Sequence, residues 1–278
     1  MSLHESFWSY RSFRWLKVTL VLVVVATSAY FADEPPGGPG GNTFLGYLLG
    51  TMSAGLMLWL FWFGMRKRSY KAAGAPLRGW LSAHTYLGLA LVWLVMLHSG
   101  FDFGWNVHTG AFVLTVLVVL SGVFGVVVYT AVPERMTQNR PGEKLAALFE
   151  RIQDIDTECN TLASSLPDTI ARAVDDSIAQ TRIGGGPMRL LRRRDRRCPT
   201  AHALRVVAEQ KSSVEGAARE DVRKLEEMLD AKRSLLARVH TDLRLKALLD
   251  VWLFAHVPLA SAALVAVAAH VFIVLYYR

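Results

Sequence analysis

Two stretches decide the fold: residues 80–101, WLSAHTYLGLALVWLVMLHSGF, and residues 248–277, LLDVWLFAHVPLASAALVAVAAHVFIVLYY. Each is long enough to cross a ~30 Å hydrocarbon core as a helix. Each also carries two histidines, His84 and His98 in the first, His256 and His270 in the second. An ionisable side chain inside an apolar span is costly, so by default it marks function. In both stretches the histidines stand fourteen residues apart. At a 1.5 Å rise this is ~21 Å, just under four turns, so each helix presents both rings from one face at two depths.

Three further apolar blocks, residues 15–32, 44–65 and 111–132, are also long enough to span. The 278-residue chain is 52% hydrophobic, with its apolar residues in uninterrupted runs, which sets it apart from soluble globular domains. The expected fold class is all-α integral membrane, with five transmembrane helices forming a bundle. Residues 26–32 are rich in small side chains, as before a signal cleavage site, but the first block is expected to stay as a span.

Basic residues orient the bundle. Arg11, Arg14 and Lys17 precede or open the first span, and Arg66, Lys67, Arg68, Lys71 and Arg78 fill the link between spans two and three. The links after spans one and three, PPGGPGG at 35–41 included, hold no Lys or Arg. The positive-inside rule then puts the N-terminus and residues 133–246 in the cytoplasm and the C-terminus outside an inner, cytoplasmic membrane. The net charge of +8 is read as this orientation signal, and no nucleic-acid partner is expected.

With that topology spans three and five are parallel. His84 is level with His256 near the cytoplasmic face, and His98 is level with His270 near the outer face. Imidazole is a good iron ligand, and matched rings at two depths are the arrangement that clamps two haem irons axially. The competing readings are hydrogen bonding within the bundle and a metal-ion path. The pairs are too far apart for one four-ligand site, and no carboxylate sits beside them. The expected ligand sets are therefore His84 with His256 and His98 with His270, holding two non-covalent haem b groups. Cys159 and Cys198 are too few for an iron–sulfur cluster, and without C-x-x-C-H the haems are not covalently attached. Gly88, Gly122 and Gly125, with Ser121, leave room for a flat macrocycle, although small residues serve close helix packing equally well. Arg78 lies where haem propionates would emerge, and it is also a topology determinant.

Residues 133–246 are polar and too long for a loop. Leu145, Leu148, Ile152, Ile155, Cys159 and Leu162 form one a/d seam; Val222, Leu225, Leu229, Leu236, Val239 and Leu243 form another, interrupted by Lys232. The expectation is a cytoplasmic helical-hairpin insertion, coiled-coil in character, whose second helix continues into the last span. The domains are then 1–132, 133–246 and 247–278. An arginine-rich stretch, Arg189–Arg197, at its tip would suit an acidic partner or anionic lipid.

The Ala83-His84…Leu97-His98 and Ala255-His256…Ala269-His270 positions resemble the diheme membrane cytochromes b. That class includes the b subunit of quinol–cytochrome c oxidoreductases and the ferric-reductase/NADPH-oxidase transmembrane domain. Placement on spans three and five looks more like the ferric-reductase type. The likeness covers the membrane part alone, and the chain departs from both groups. It lacks the extra spans of the first, and Gly184-Gly185-Gly186 is not the dinucleotide fingerprint the second would need.

The resemblance and the ligand pattern imply an electron-transfer subunit of a respiratory or photosynthetic redox complex. Its partners would be a redox protein, membrane lipid and, as an open candidate, a quinone. A free-standing ferric or quinone reductase is the alternative, and a haem-free membrane scaffold is an alternative of another class. Asp102 and His108, beside the outer pair, would handle protons for a quinone or serve as ordinary interfacial polar residues.

Overall fold

The computed structural model describes residues 7–68, 76–139, 143–192 and 198–276. Lys71 and residues 193–197 of the arginine-rich stretch lie outside the described residues. Among the described residues the protein is helical, with no strand. Five helices are long and apolar enough to cross a membrane. They are α1 (Tyr10–Ala32), α2 (Phe44–Arg68), α3 (Leu77–Ser99), α4 (Val107–Asn139) and α9 (Ala217–Tyr276), the last spanning with its C-terminal part. Four more, α5 (Leu145–Ala163), α6 (Asp168–Ala179), α7 (Pro187–Arg192) and α8 (Pro199–Gln210), lie between α4 and α9. By contact the chain divides into a unit of residues 1–127 and 252–278 and a unit of residues 128–251.

In the first unit α3 is the central helix, packed against both α1 and α2. Its Ala83, Leu87 and Leu91 form a core with Met57 and Leu60 of α2 and Ala263 of α9. Leu94 and Leu97 form a second core with Ala26 and Tyr30 of α1 and Leu49 of α2. The other faces of α1 and α4 carry exposed Val, Leu and Phe, as lipid-facing surfaces do.

Helix ends differ from the sequence expectation by a few residues, for local reasons. α3 stops at Ser99 rather than at 101 because Gly100 takes φ +64°, a left-handed C-cap whose N–H bonds back to Leu97. A Cβ there would also collide with the Pro39 carbonyl, so glycine alone fits. α4 starts at Val107, four residues early, because the Asn106 side chain accepts from the Thr109 N–H at 2.9 Å and caps the helix. This puts His108 on a helix rather than in a loop.

In the second unit most of both seams is buried, with Leu145, Ile155, Leu162 and Leu243 half-buried. Leu148, Ile152 and Cys159 on α5 and Val222, Leu225, Leu229, Leu236 and Val239 on α9 are all core residues. The unit is more elaborate than a two-helix hairpin, however. α6 packs against both α5 and α8, burying Ile170, Ala173 and Val174 with Ala203 and Val207. Lys232, which breaks the apolar pattern, is fully buried. Its Nζ reaches Asp156 Oδ1 of α5 at 2.6 Å and donates to the carbonyl and hydroxyl of Ser177 on α6 at 3.1 and 3.0 Å. A buried cation must be neutralised by partners of this kind. Next to it, burial pushes the Cys159 thiol up to about 11, against the opposing pull of Lys232.

Removing one member of this pair strands the other. Lys232→Ala should destabilise the second unit by about 3 kcal/mol, read from chemical denaturation followed by helical circular dichroism. Lys211→Ala, which breaks the half-exposed Lys211–Glu226 pair, should cost under about 1 kcal/mol. Equal effects would show that Lys232 does not organise this core.

Candidate functional site

The site grows from two helices of the first unit. α3 carries His84 in its middle and His98 in its last turn, and α9 carries His256 and His270. The structure brings His98 and His270 together, with ring centroids 6.0 Å apart and planes at 81°. His84 and His256 are neighbours at the other level.

His98 is held from α2. Its Nδ1 lies 2.7 Å from the Gly46 carbonyl, so Nδ1 carries the proton and donates, and Nε2 keeps its lone pair. Gly50, one turn further along α2, makes this approach possible. A Cβ on Gly50 would stand 2.7 Å from His98 Cε1, inside van der Waals contact, and one on Gly41 would touch the same atom at 3.4 Å. The Gly46-x-x-x-Gly50 spacing is the small-residue pattern that lets membrane helices approach closely, and it was the signal available in the sequence for this contact.

His270 is held from α4. Its Nδ1 contacts Nδ1 of His108, with ring centroids 4.5 Å apart at 90°. His98, His108 and His270 all line a cavity of about 520 Å³, a size typical of small-molecule and cofactor pockets. Ser53, one turn beyond Gly50, lines it as well. Its hydroxyl is buried and has no hydrogen-bond partner among the described residues.

At the other depth His256 Nδ1 sits 3.1 Å from Ser121 Oγ, and its ring stacks on Trp252 at 5.2 Å. Trp252 in turn donates to the Ser121 carbonyl at 2.8 Å. His84 packs against Phe63, ring centroids 4.9 Å apart. The Leu60 carbonyl lies near its ring, and its buried Nδ1 has no hydrogen-bond partner among the described residues.

The other residues singled out in the sequence fall differently. Gly122 lies beside His256, a Cβ there standing 3.7 Å from Cε1, so the position would take a methyl group. Gly125 instead makes room for the Trp252 indole, which a Cβ would overlap. Gly88 has open space around it, and no described neighbour requires its missing side chain. Arg78 is exposed in the first turn of α3, ~9 Å along the axis from His84 by helical rise. Sequence reasoning missed Gly50, the Gly46 carbonyl and Ser53.

These residues fit a bis-imidazole cofactor. His98 and His270, with ring centroids 6.0 Å apart, are the residues that would hold the metal of such a group. His98 offers a free Nε2, the orphaned Ser53 hydroxyl faces the same cavity, and glycines replace side chains around His98. No cluster of three or more His, Cys, Asp and Glu suited to a bare metal ion occurs among the described residues. No family model, curated protein or solved structure matches the chain.

The cradle makes a prediction. Gly50→Val should force the His98 ring aside and destabilise the bundle by about 1–3 kcal/mol, measured by thermal unfolding in detergent. Gly55→Val on the same helix has open space at its Cβ and should change little. If both variants unfold alike, His98 is not confined by α2.

Proposed function

We propose that this chain is a diheme b-type cytochrome, a multi-pass membrane subunit that carries electrons between a redox partner or quinone on one side and an acceptor on the other. The observation that carries the reading is the His98/His270 pair. Two half-buried imidazoles with ring centroids 6.0 Å apart line one cavity, each with Nδ1 held by the protein, and would ligate a haem iron there. His84 and His256 are proposed as the second pair. Each haem, when bound, would supply a one-electron carrier of tunable potential.

The protein's own contribution is positional. The Gly46 carbonyl and the Ser121 hydroxyl orient two of the four rings, and the carbonyl, which can only accept, also fixes the tautomer of His98. Leu87, Leu91 and Ala263 pack tightly between the two histidine levels and exclude water from the route. The absence of lysine and arginine from residues 33–43 and 102–110 supports placing the His98/His270 level toward the outer face. On this topology a cysteine at Gly38 should react with an impermeant maleimide from outside, and one at Met188 only after the membrane is opened. The reverse pattern would invert the orientation.

The decisive experiment is a pyridine haemochrome assay with a reduced-minus-oxidised spectrum on the purified chain. About two haems per chain are expected, one per histidine pair, and fewer than about one would sink the reading. Alanine at His98 or at His270 should remove the same spectral component. Alanine at His84 or at His256 should remove the other. Loss of a common component in His84→Ala and His270→Ala would break the pairing.

A further inference from the structure

We infer that His108 is a positioning residue for the outer site, accepting a hydrogen bond from His270 and so turning the His270 Nε2 lone pair toward the cavity. The inference rests on the diheme reading and assigns a role to a third histidine that the two ligand pairs leave unused.

Two neutral imidazoles that meet through their Nδ1 atoms share a single proton. Two lone pairs facing each other repel, and two N–H groups collide, so one ring donates and the other accepts. In the contact between His108 and His270 the two assignments have opposite consequences. If His108 donates, the His270 proton sits on Nε2 and blocks ligation there. If His270 donates, its Nε2 is free to bind iron. Ligation by His270 therefore fixes His108 as the acceptor, with its own proton on Nε2.

The local structure holds His108 in place for this task. The Asn106 side chain caps α4, so His108 occupies the helix's first turn, and the two rings cross at 90°, which aims an edge of one at the other. His108 is exposed, so packing does not explain its position.

The acceptor also distinguishes the two outer ligands. His98 donates to a carbonyl, Gly46 O, whereas His270 faces an imidazole nitrogen, a stronger base. A stronger acceptor draws the Nδ1 proton away and makes the ligating ring more electron-rich. An electron-rich ligand favours ferric over ferrous iron, so His108 lowers the reduction potential of the outer haem alone.

The test is a spectroelectrochemical titration of the full-length protein in detergent, as wild type, His108→Leu and His108→Asn. Leucine removes the acceptor, and the asparagine side-chain oxygen stands near where the histidine Nδ1 stood. The outer component is defined as the one missing from His98→Ala. In His108→Leu it should become easier to reduce, by roughly 10-fold in the equilibrium constant with a redox mediator. The inner component should not move, and His108→Asn should stay close to wild type. Loss of the outer component in His108→Leu with retention in His108→Asn would equally support the role.

If the wild type holds two haems and His108→Leu titrates like it, the inference fails while the diheme reading stands. It also fails if His108→Asn follows His108→Leu. A wild type with no haem would bring down the diheme reading, and the assignment of His108 with it.

Discussion

A neutral imidazole has one N–H and one lone pair, and hydrocarbon offers a partner to neither. Four such rings inside an apolar bundle impose a constraint on everything around them. Three of the four, His98, His256 and His270, bring one nitrogen to hydrogen-bond distance of a protein group, and those contacts select which helices come close. His98 draws on the Gly46 carbonyl, so α2 must approach α3 with nothing between them. His256 uses Ser121 and His270 uses His108, so two points on α4 are pinned to two points on α9. Apolar packing alone would permit many arrangements of five greasy helices, since lipid and leucine are equivalent neighbours.

The second unit answers a different problem. Its faces are amphipathic, and its two seams bury their apolar sides along α5 and α9. A continuous apolar seam, however, tolerates slippage by a heptad. Lys232 removes that freedom, because only one register delivers its amine to Asp156 and to both oxygens of Ser177. A single polar residue at a core position often fixes register in this way, at some cost in stability.

Much of this architecture is legible in the chain itself. Span length and hydropathy mark all five helices that are long and apolar enough to cross a membrane, and the two fourteen-residue histidine intervals mark four rings of the candidate site. Other parts were hidden for physical reasons. α6 and α8 escape notice because each is only 12 residues long and buries a few side chains, Ile170, Ala173 and Val174 on one and Ala203 and Val207 on the other, too few for a sustained seam. The Gly46-x-x-x-Gly50 spacing marks α2 for close approach, but it does not say which residue of which helix will approach, and the partner turned out to be His98. Gly88 shows the converse: a missing side chain looks the same in sequence whether it faces a ligand, a helix or open space.

The Lys232 core has one more effect, on the chemical lifetime of the protein. Thiols react with peroxide as thiolates, and a pKa near 11 leaves on the order of one Cys159 in ten thousand ionised at neutral pH. Complete burial removes access as well. Cys198, only partly covered at the start of α8, has no such shelter. Any oxidative damage that reaches the thiols of this chain should therefore fall on Cys198 and climb the sulfenic-to-sulfonic series there, while the packed interior keeps its sulfur reduced.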